Sequence, residues 1–248
     1  MMSEHSNIII ELKNLTHSYG QSSVLKDVNL SIKEGEIFGF LGHNGAGKTT
    51  TINILTTLLL PTGGSARIDG ADVMRNPFSV RRNIGYLPEN VRFYNNMTAR
   101  ENLRFFAELS GIDNPGGAVV ETLEFLESAD LADRRLGTFS KGMRQRIGIA
   151  QAVMHKPKVL FLDEPTSGLD PQGVLQLRET ITRLNRDLGM TIFMNTHLLS
   201  EVSQICTSIG VLNHGRLIYH DTLDKTLKRF SGEISLEKIY LNMSEDKN

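Results

Sequence analysis

The stretch EIFGFLGHNGAGKTT, Glu36–Thr50, limits what this chain can become more than any other part of it. A short apolar run suited to a buried strand enters a loop punctuated by Gly42, Gly45 and Gly47, and a helix opens at Lys48. Gly42–Thr49 fits the pattern G-x-x-x-x-G-K-[ST]. Glycines let the backbone curl until successive N–H groups point at one place, and a helix N-terminus adds positive potential there. The result is a cradle for phosphate, made by the backbone of Gly42, His43, Asn44, Gly45, Ala46 and Gly47, with Thr50 just inside the helix. Lys48 is placed to reach β- and γ-phosphates, and Thr49 to ligate Mg²⁺.

A second stretch supplies the other half of such a site. In VLFLDEP, four apolar residues, Val159–Leu162, carry Asp163 and Glu164 to the end of a buried strand. Asp163 suits the water shell of Mg²⁺, which keeps several waters and takes few carboxylates. Glu164 is placed to polarise an attacking water as a general base. His197 closes a further apolar run, TIFMNTH, and the carboxyl ends of core strands are where α/β sheets hold their ligands. We therefore expect His197 at the γ-phosphate, supporting the attacking water.

Around these motifs the chain alternates between strand and helix. IIIELKNLTHSYG and VLKDVNLSI alternate apolar and polar residues as half-buried strands do. A helix is expected from Lys48 to about Leu60, stopping at Pro61, and TGGSARIDG reads as a turn and a strand. From about Pro88 to Lys156 the pattern is helical. There Thr98 and Glu101 form a capping-box pair, with Leu103, Phe106 and Leu109 along one face and Phe105 widening it. After the VLFLDEP strand come a long helix around Leu175–Leu188, the TIFMNTH strand and a hairpin turning at Asn213–Gly215. From about Leu223 the tail reads as helical, with a frayed end at SEDKN. A helical segment thus interrupts an α/β core that resumes after it.

Composition excludes several classes. The 27 basic and 28 acidic residues leave a formal charge of −1, so no bulk attraction to nucleic acid is expected. Cys206 is the one cysteine, which rules out an internal disulfide and a cysteine metal cluster. The opening MMSEHSNIIIELKN lacks the core of a signal peptide, and the apolar run ending at Pro61 falls far short of the ~20 residues needed to span a bilayer. A cytoplasmic chain is expected, peripheral on the inner face of the membrane if a partner holds it there.

FSKGMRQR, Phe139–Arg146, places a serine and a glycine at the start of a basic helix, as if for a second phosphate grip. With that stretch included, the motifs and their order resemble the nucleotide-binding subunits of ATP-binding cassette (ABC) transporters, over about Ile8–Ile218. The resemblance makes GHNGAGKTT the Walker A motif, VLFLDEP Walker B, SGLD the D-loop with Asp170, and His197 the switch histidine. It makes Tyr19 the aromatic that stacks on adenine and FSKGM the signature loop. It implies a P-loop NTPase (RecA-like) α/β core, 1–87 and 157–222, with an antiparallel β subdomain. An inserted helical signature subdomain spans 88–156, and a C-terminal helical tail spans 223–248. In this family the signature closes on ATP held by a second subunit, so Ser140, Lys141, Gly142 and Met143 would act in trans and the two grips belong to different sites.

The chain departs from the family pattern at three positions. Lys141 replaces a glycine, Met143 a glutamine, and Glu89, in YLPE, stands where glutamine is general and would join Thr49 and Asp163 at Mg²⁺. The resemblance further implies separate integral membrane subunits, a second copy or similar cassette as partner, and export as the direction. Phe93 and Tyr94, after Glu89, either pack as core or line the cleft that receives a helix of the membrane subunit. The other functional reading is a soluble single-cassette ATPase serving an assembly process such as iron–sulfur maturation. A module that clamps on ATP without turnover is disfavoured by Glu164 and His197.

Overall fold

The computed structural model describes residues 7–229. The SEDKN end lies outside the described residues. Two sheets organise the chain. A four-stranded antiparallel sheet has the order β2-β1-β4-β5, from β1 (Ile8–Tyr19), β2 (Ser22–Lys33), β4 (Gly63–Ile68) and β5 (Ala71–Asp72). A six-stranded sheet has the order β10-β9-β3-β8-β7-β6. Its strands are β3 (Ile37–Leu41), β6 (Ile84–Leu87), β7 (Val159–Asp163), β8 (Thr191–Thr196), β9 (Ser208–Asn213) and β10 (Arg216–Thr222). All neighbours in it run parallel except the β9–β10 hairpin. That hairpin turns through His214 at φ 45° and Gly215 at φ 80°, left-handed residues that match strand twist.

Every residue of β3, β7 and β8 is buried, as a parallel sheet covered on both faces requires. Alternate side chains sort into two cores. Phe38, Phe40, Phe161 and Phe193 face the antiparallel sheet, with ring centroids 5.2 Å (Phe38–Phe193) and 5.4 Å (Phe161–Phe193) apart. Leu160, Leu162, Ile192 and Met194 face the helices, where Leu177, Ile181 and Leu184 of α6 (Pro171–Leu188) meet them. The same core takes in α3 (Ala99–Leu109), α4 (Pro115–Phe125) and α5 (Lys141–Val153).

The strands end in register. Leu41 pairs with Thr196, and Asp163 with Asn195. The residues following β3, β7 and β8 therefore emerge side by side at one edge of the sheet.

Four local expectations change. Helix α1 (Lys48–Leu55) stops short of Leu60, because the Thr56 hydroxyl bonds back to Ile52 O at 2.8 Å and Thr57 turns left-handed at φ 62°. Leu109 is exposed; α3 instead buries Ala99, Asn102, Leu103 and Ala107. The Asn102 amide sets that face, donating to Tyr94 O and Thr98 O and accepting the Tyr94 N–H. Helix α6 begins at Pro171, where Asp170 caps it by accepting the Gly173 N–H at 2.7 Å. Finally, α2 (Pro77–Asn83) and α7 (Leu199–Ile205) are too short to leave a helical period in the sequence. A last helix, α8 (Leu223–Arg229), starts where the tail was expected to turn helical, and the capping box of Thr98 and Glu101 is present.

Candidate active site

The loop after β3 is held by its glycines and by the hairpin. A Cβ on Gly42 would lie 2.6 Å from Leu212 O, and Gly47 has φ +108° with a would-be Cβ 2.7 Å from a Leu25 methyl. No side chain fits at either place without moving backbone or core. Ala46 donates to His43 O at 3.1 Å, and the Gly215 N–H to Ala46 O at 3.0 Å. His43 Nε2 lies 3.0 Å from Asn213 Oδ1, and its ring packs 4.9 Å from that of His214. Asn44, Gly45 and Thr49 are exposed, while Ala46 and Thr50 are buried. Gly47 begins α1 with no side-chain cap and no acid in the first turn, so the positive helix end faces outward uncompensated. A cradle of this kind suits an anion.

Lys48 is buried, and its ammonium folds back on Gly42 O at 2.6 Å and His43 O at 3.3 Å. It lies 4.0 Å from Glu164 Oε1. Burial pulls its pKa below the ordinary lysine value, against the pull of Glu164 and Asp163.

The ends of β7 and β8 supply the acids and the imidazole. Asp163 is 6% exposed and accepts at Oδ1 from the side-chain amide of Asn195. Burial pushes its carboxyl above the usual range; the Asn195 bond opposes this, and Glu164 and Glu89 add to it. Burial and Asp163 together push the neighbouring Tyr86 phenol up to about 12. Glu164 is left-handed at φ 46°, its N–H bonded to Asn195 O at 2.9 Å. That turn aims the carboxylate at His197, with Oε2 to Nδ1 at 2.8 Å. The turn bearing His197 is pinned in its own right: Thr196 donates its hydroxyl to the buried Glu201 at 3.0 Å and accepts the Leu198 N–H at 3.1 Å.

Among the described residues no three His, Cys, Asp or Glu side chains cluster as a protein-only metal cage. The acid beside the cradle, Asp163, and the exposed Thr49 at its mouth instead fit Mg²⁺, which takes one or two protein ligands together with phosphate oxygens. The unpartnered, buried Oδ1 of Asn195 points to a missing donor there. Glu89 reaches the same region from the other side, accepting the Ser167 hydroxyl at 3.3 Å.

The signature residues stand apart from this group. Ser140 caps α5 by accepting the Met143 N–H at 3.3 Å. Lys141 folds over Gly168, its ammonium 3.0 Å from where a Cβ there would sit, and Gly142 faces Leu169. Gln145 donates to Pro165 O at 2.7 Å, so α5 grips the loop that runs from Glu164 to Asp170. A cavity of about 250 Å³ beside Ser140, Gly142 and Met143 is lined also by Leu169 and Asp170, and by no residue of Gly42–Thr50. The fold thus brings Lys48, Asp163, Glu164 and His197 together, and the cavity beside Ser140, Gly142 and Met143 is lined by none of them. Tyr19, at the end of β1, is 52% exposed and edge-on to the buried His17 ring at 4.6 Å. Asn195, Thr196, Glu201 and Gln145 were not singled out from sequence. A polar Asn195 inside an apolar strand run was the available signal.

Comparison with known proteins agrees with this geometry. Residues 25–167 match the model of the ABC transporter family. The bacitracin transport ATP-binding protein BcrA of Bacillus licheniformis is 42% identical over 221 residues, covering 89% of this chain and 72% of that protein. A solved ATP-binding subunit of an ABC transporter superposes with a TM-score of 0.84 at 30% identity, covering 96% of this chain and all (100%) of the other. The cassette MJ0796, solved as a dimer in a post-hydrolysis state bound to ADP and Pi, gives 0.77 at 28% identity over 87% of this chain and 99% of its own. A phosphate cradle and an acid–imidazole pair at the ends of three parallel strands, on a chain matched along most of its length to such cassettes, identify it as a member of the ABC transporter family, an ATP-binding subunit that hydrolyses ATP.

Proposed function

We propose that two such cassettes close on two ATP molecules and, on hydrolysis, reopen to drive export through separate membrane subunits. The observation that carries the chemistry is the Glu164–His197 contact of 2.8 Å beside the Lys48 ammonium. In this reading the N–H groups of Gly42–Gly47, the α1 N-terminus and Thr50 bind the phosphates, and Tyr19 stacks on adenine. Lys48 leaves its own loop carbonyls for the β- and γ-phosphate oxygens. Glu164 takes the proton from a water whose oxygen attacks the γ-phosphorus while the bond to the β,γ-bridging oxygen breaks. His197 orients Glu164 and contacts the γ-phosphate. Thr49, Asp163 and Glu89 would hold Mg²⁺, which would supply neutralisation of charge on the phosphates.

Ser140 and the amides at Lys141, Gly142 and Met143, at the N-terminus of α5, contact the γ-phosphate of the partner's nucleotide, and Asp170 sits at the seam by capping α6. Action in trans is favoured by the cavity beside Ser140, Gly142 and Met143, which no residue of Gly42–Thr50 lines. Mixing tests it. A Lys48→Ala chain and a Ser140→Arg chain are each expected to be inactive. Mixed equally, they form hybrid pairs with one intact site, restoring roughly a quarter of wild-type phosphate release. No recovery, with hybrids demonstrated, would place both grips in one site.

At Glu89, the change to glutamine exchanges one oxygen ligand for another and removes a negative charge near the phosphates. ATP turnover by Glu89→Gln is expected to stay within about tenfold of wild type, or ~1.4 kcal/mol of barrier. A larger loss would mean that the charge itself is required.

The boundaries 1–87 with 157–222, 88–156 and 223–248 are our division into core, signature subdomain and tail. In this reading the membrane subunits are separate chains and hold the cassette at the inner face; among the described residues no helix is long and apolar enough to cross a membrane. Their docking helix would sit near the joint after Glu89. Phe93 packs partly into the core there, whereas Tyr94 is 53% exposed and edge-on to Phe105. A separate cavity of about 1060 Å³ between α2 and the α3–α4 connection has Phe78 and Leu109 exposed in a lining that also carries Arg81, Arg82, Asp113 and Glu121. The bacitracin-transport relative favours export over the soluble assembly ATPase.

A further inference from the structure

Asn195 is the next-to-last residue of β8 and 1% exposed. Its side-chain amide donates to Asp163 Oδ1, and its backbone carbonyl accepts the Glu164 N–H at 2.9 Å. One residue therefore holds both acids. A carboxylate accepts and does not donate, so the NH₂ must face Asp163 and Oδ1 must point elsewhere. That oxygen is buried and has no hydrogen-bond partner. A buried acceptor left unpaired is costly, and something with a free hydrogen ought to meet it.

No donor of the described residues meets that oxygen. The Lys48 ammonium is bonded to Gly42 O and His43 O. His197 Nδ1 faces Glu164, and the Thr196 hydroxyl goes to Glu201. A donor that arrives with the ligand would fill that place. Water on a divalent cation fits: its oxygen is occupied by the metal and both hydrogens point outward. Mg²⁺ keeps several such waters.

We propose that Asn195 is a positioning residue for the cation's water shell, its NH₂ fixing Asp163 and its Oδ1 accepting from a cation-bound water beside the one that Asp163 accepts. This rests on the reading that Thr49 and Asp163 hold Mg²⁺. Outer-shell partners of this kind commonly change metal affinity by 10- to 100-fold.

The test uses the full chain carrying Glu164→Gln, so that ATP is not consumed. Mn²⁺ binding to the ATP-loaded chain is followed by electron paramagnetic resonance, and ATP binding in EDTA by calorimetry. Adding Asn195→Ala is expected to weaken Mn²⁺ about tenfold while leaving ATP affinity in EDTA within about twofold, which also shows that the variant folds. Adding Asn195→Asp separates the two ends of the side chain. It loses the donor to Asp163 but keeps an acceptor for water, so Mn²⁺ should bind at least several-fold more tightly than in Asn195→Ala. If Asn195 only steadies Asp163, the aspartate would repel it and bind Mn²⁺ no better than alanine, and the proposal falls. It falls equally if Asn195→Ala binds Mn²⁺ as the parent does, or if Mn²⁺ and metal-free ATP binding weaken together. If the parent itself shows no Mn²⁺ binding to its ATP-loaded form, the fault lies with the Thr49–Asp163 reading instead.

Discussion

Glu164→Gln is expected to lower ATP turnover by about 10²- to 10⁴-fold, the usual contribution of a general base, while ATP binding survives. The substitution preserves the left-handed backbone at φ 46° and the bond from the Glu164 N–H to Asn195 O. An amide can still meet His197 across the 2.8 Å contact, but it cannot take a proton from water. With hydrolysis stopped and ATP in place, a closed pair of cassettes should accumulate. Phosphate release measures the first effect, and light scattering with and without ATP the second. Turnover within tenfold of wild type would remove Glu164 as the base. A lost rate without ATP-dependent pairing would separate the chemistry from the clamp.

The second large effect is expected at Lys48. Lys48→Ala removes a cation that lies beside two acids, 4.0 Å from Glu164 and close enough to Asp163 to lower its pKa. Hydrogen bonds to charged groups contribute about 1.5–3 kcal/mol, so ATP affinity should fall roughly 10- to 100-fold, with turnover falling at least as far. Lys48→Arg is expected to fail as well. The side chain is only 6% exposed within a cradle closed by Gly42 and Gly47, and a planar guanidinium does not fit the space of an ammonium. Calorimetric titration with ATP, alongside thermal melting to verify folding, decides the matter. An affinity within threefold of wild type in Lys48→Ala would mean that Lys48 does not bear on the phosphates.

Legibility from sequence varied with the range of the interaction. Gly42–Thr49 could be read because its demands are local: glycine where no Cβ fits, a lysine at the helix start and an apolar strand before it. The buried runs of β3, β7 and β8 were legible for the same reason. Helix ends were less so. A hydroxyl bonding back to Ile52 ended α1 early, and the Asn102 amide rotated α3 so that Leu109 faces out. Those outcomes depend on partners that periodicity does not register.

The order of motifs along this chain determined by itself that a phosphate loop, two acids and a histidine follow successive buried strands, since strand, turn and helix preferences act over a few residues. Only the tertiary structure decided that these groups share one edge, because parallel pairing aligns Leu41 with Thr196 and Asp163 with Asn195 across more than a hundred residues of intervening chain in the first case. It also decided that Asn195 holds both acids and that the cavity beside Ser140 takes in no residue of Gly42–Thr50. Neither fact has a local cause. Each follows from which strands lie side by side, and that is settled by burying the sheet between two cores.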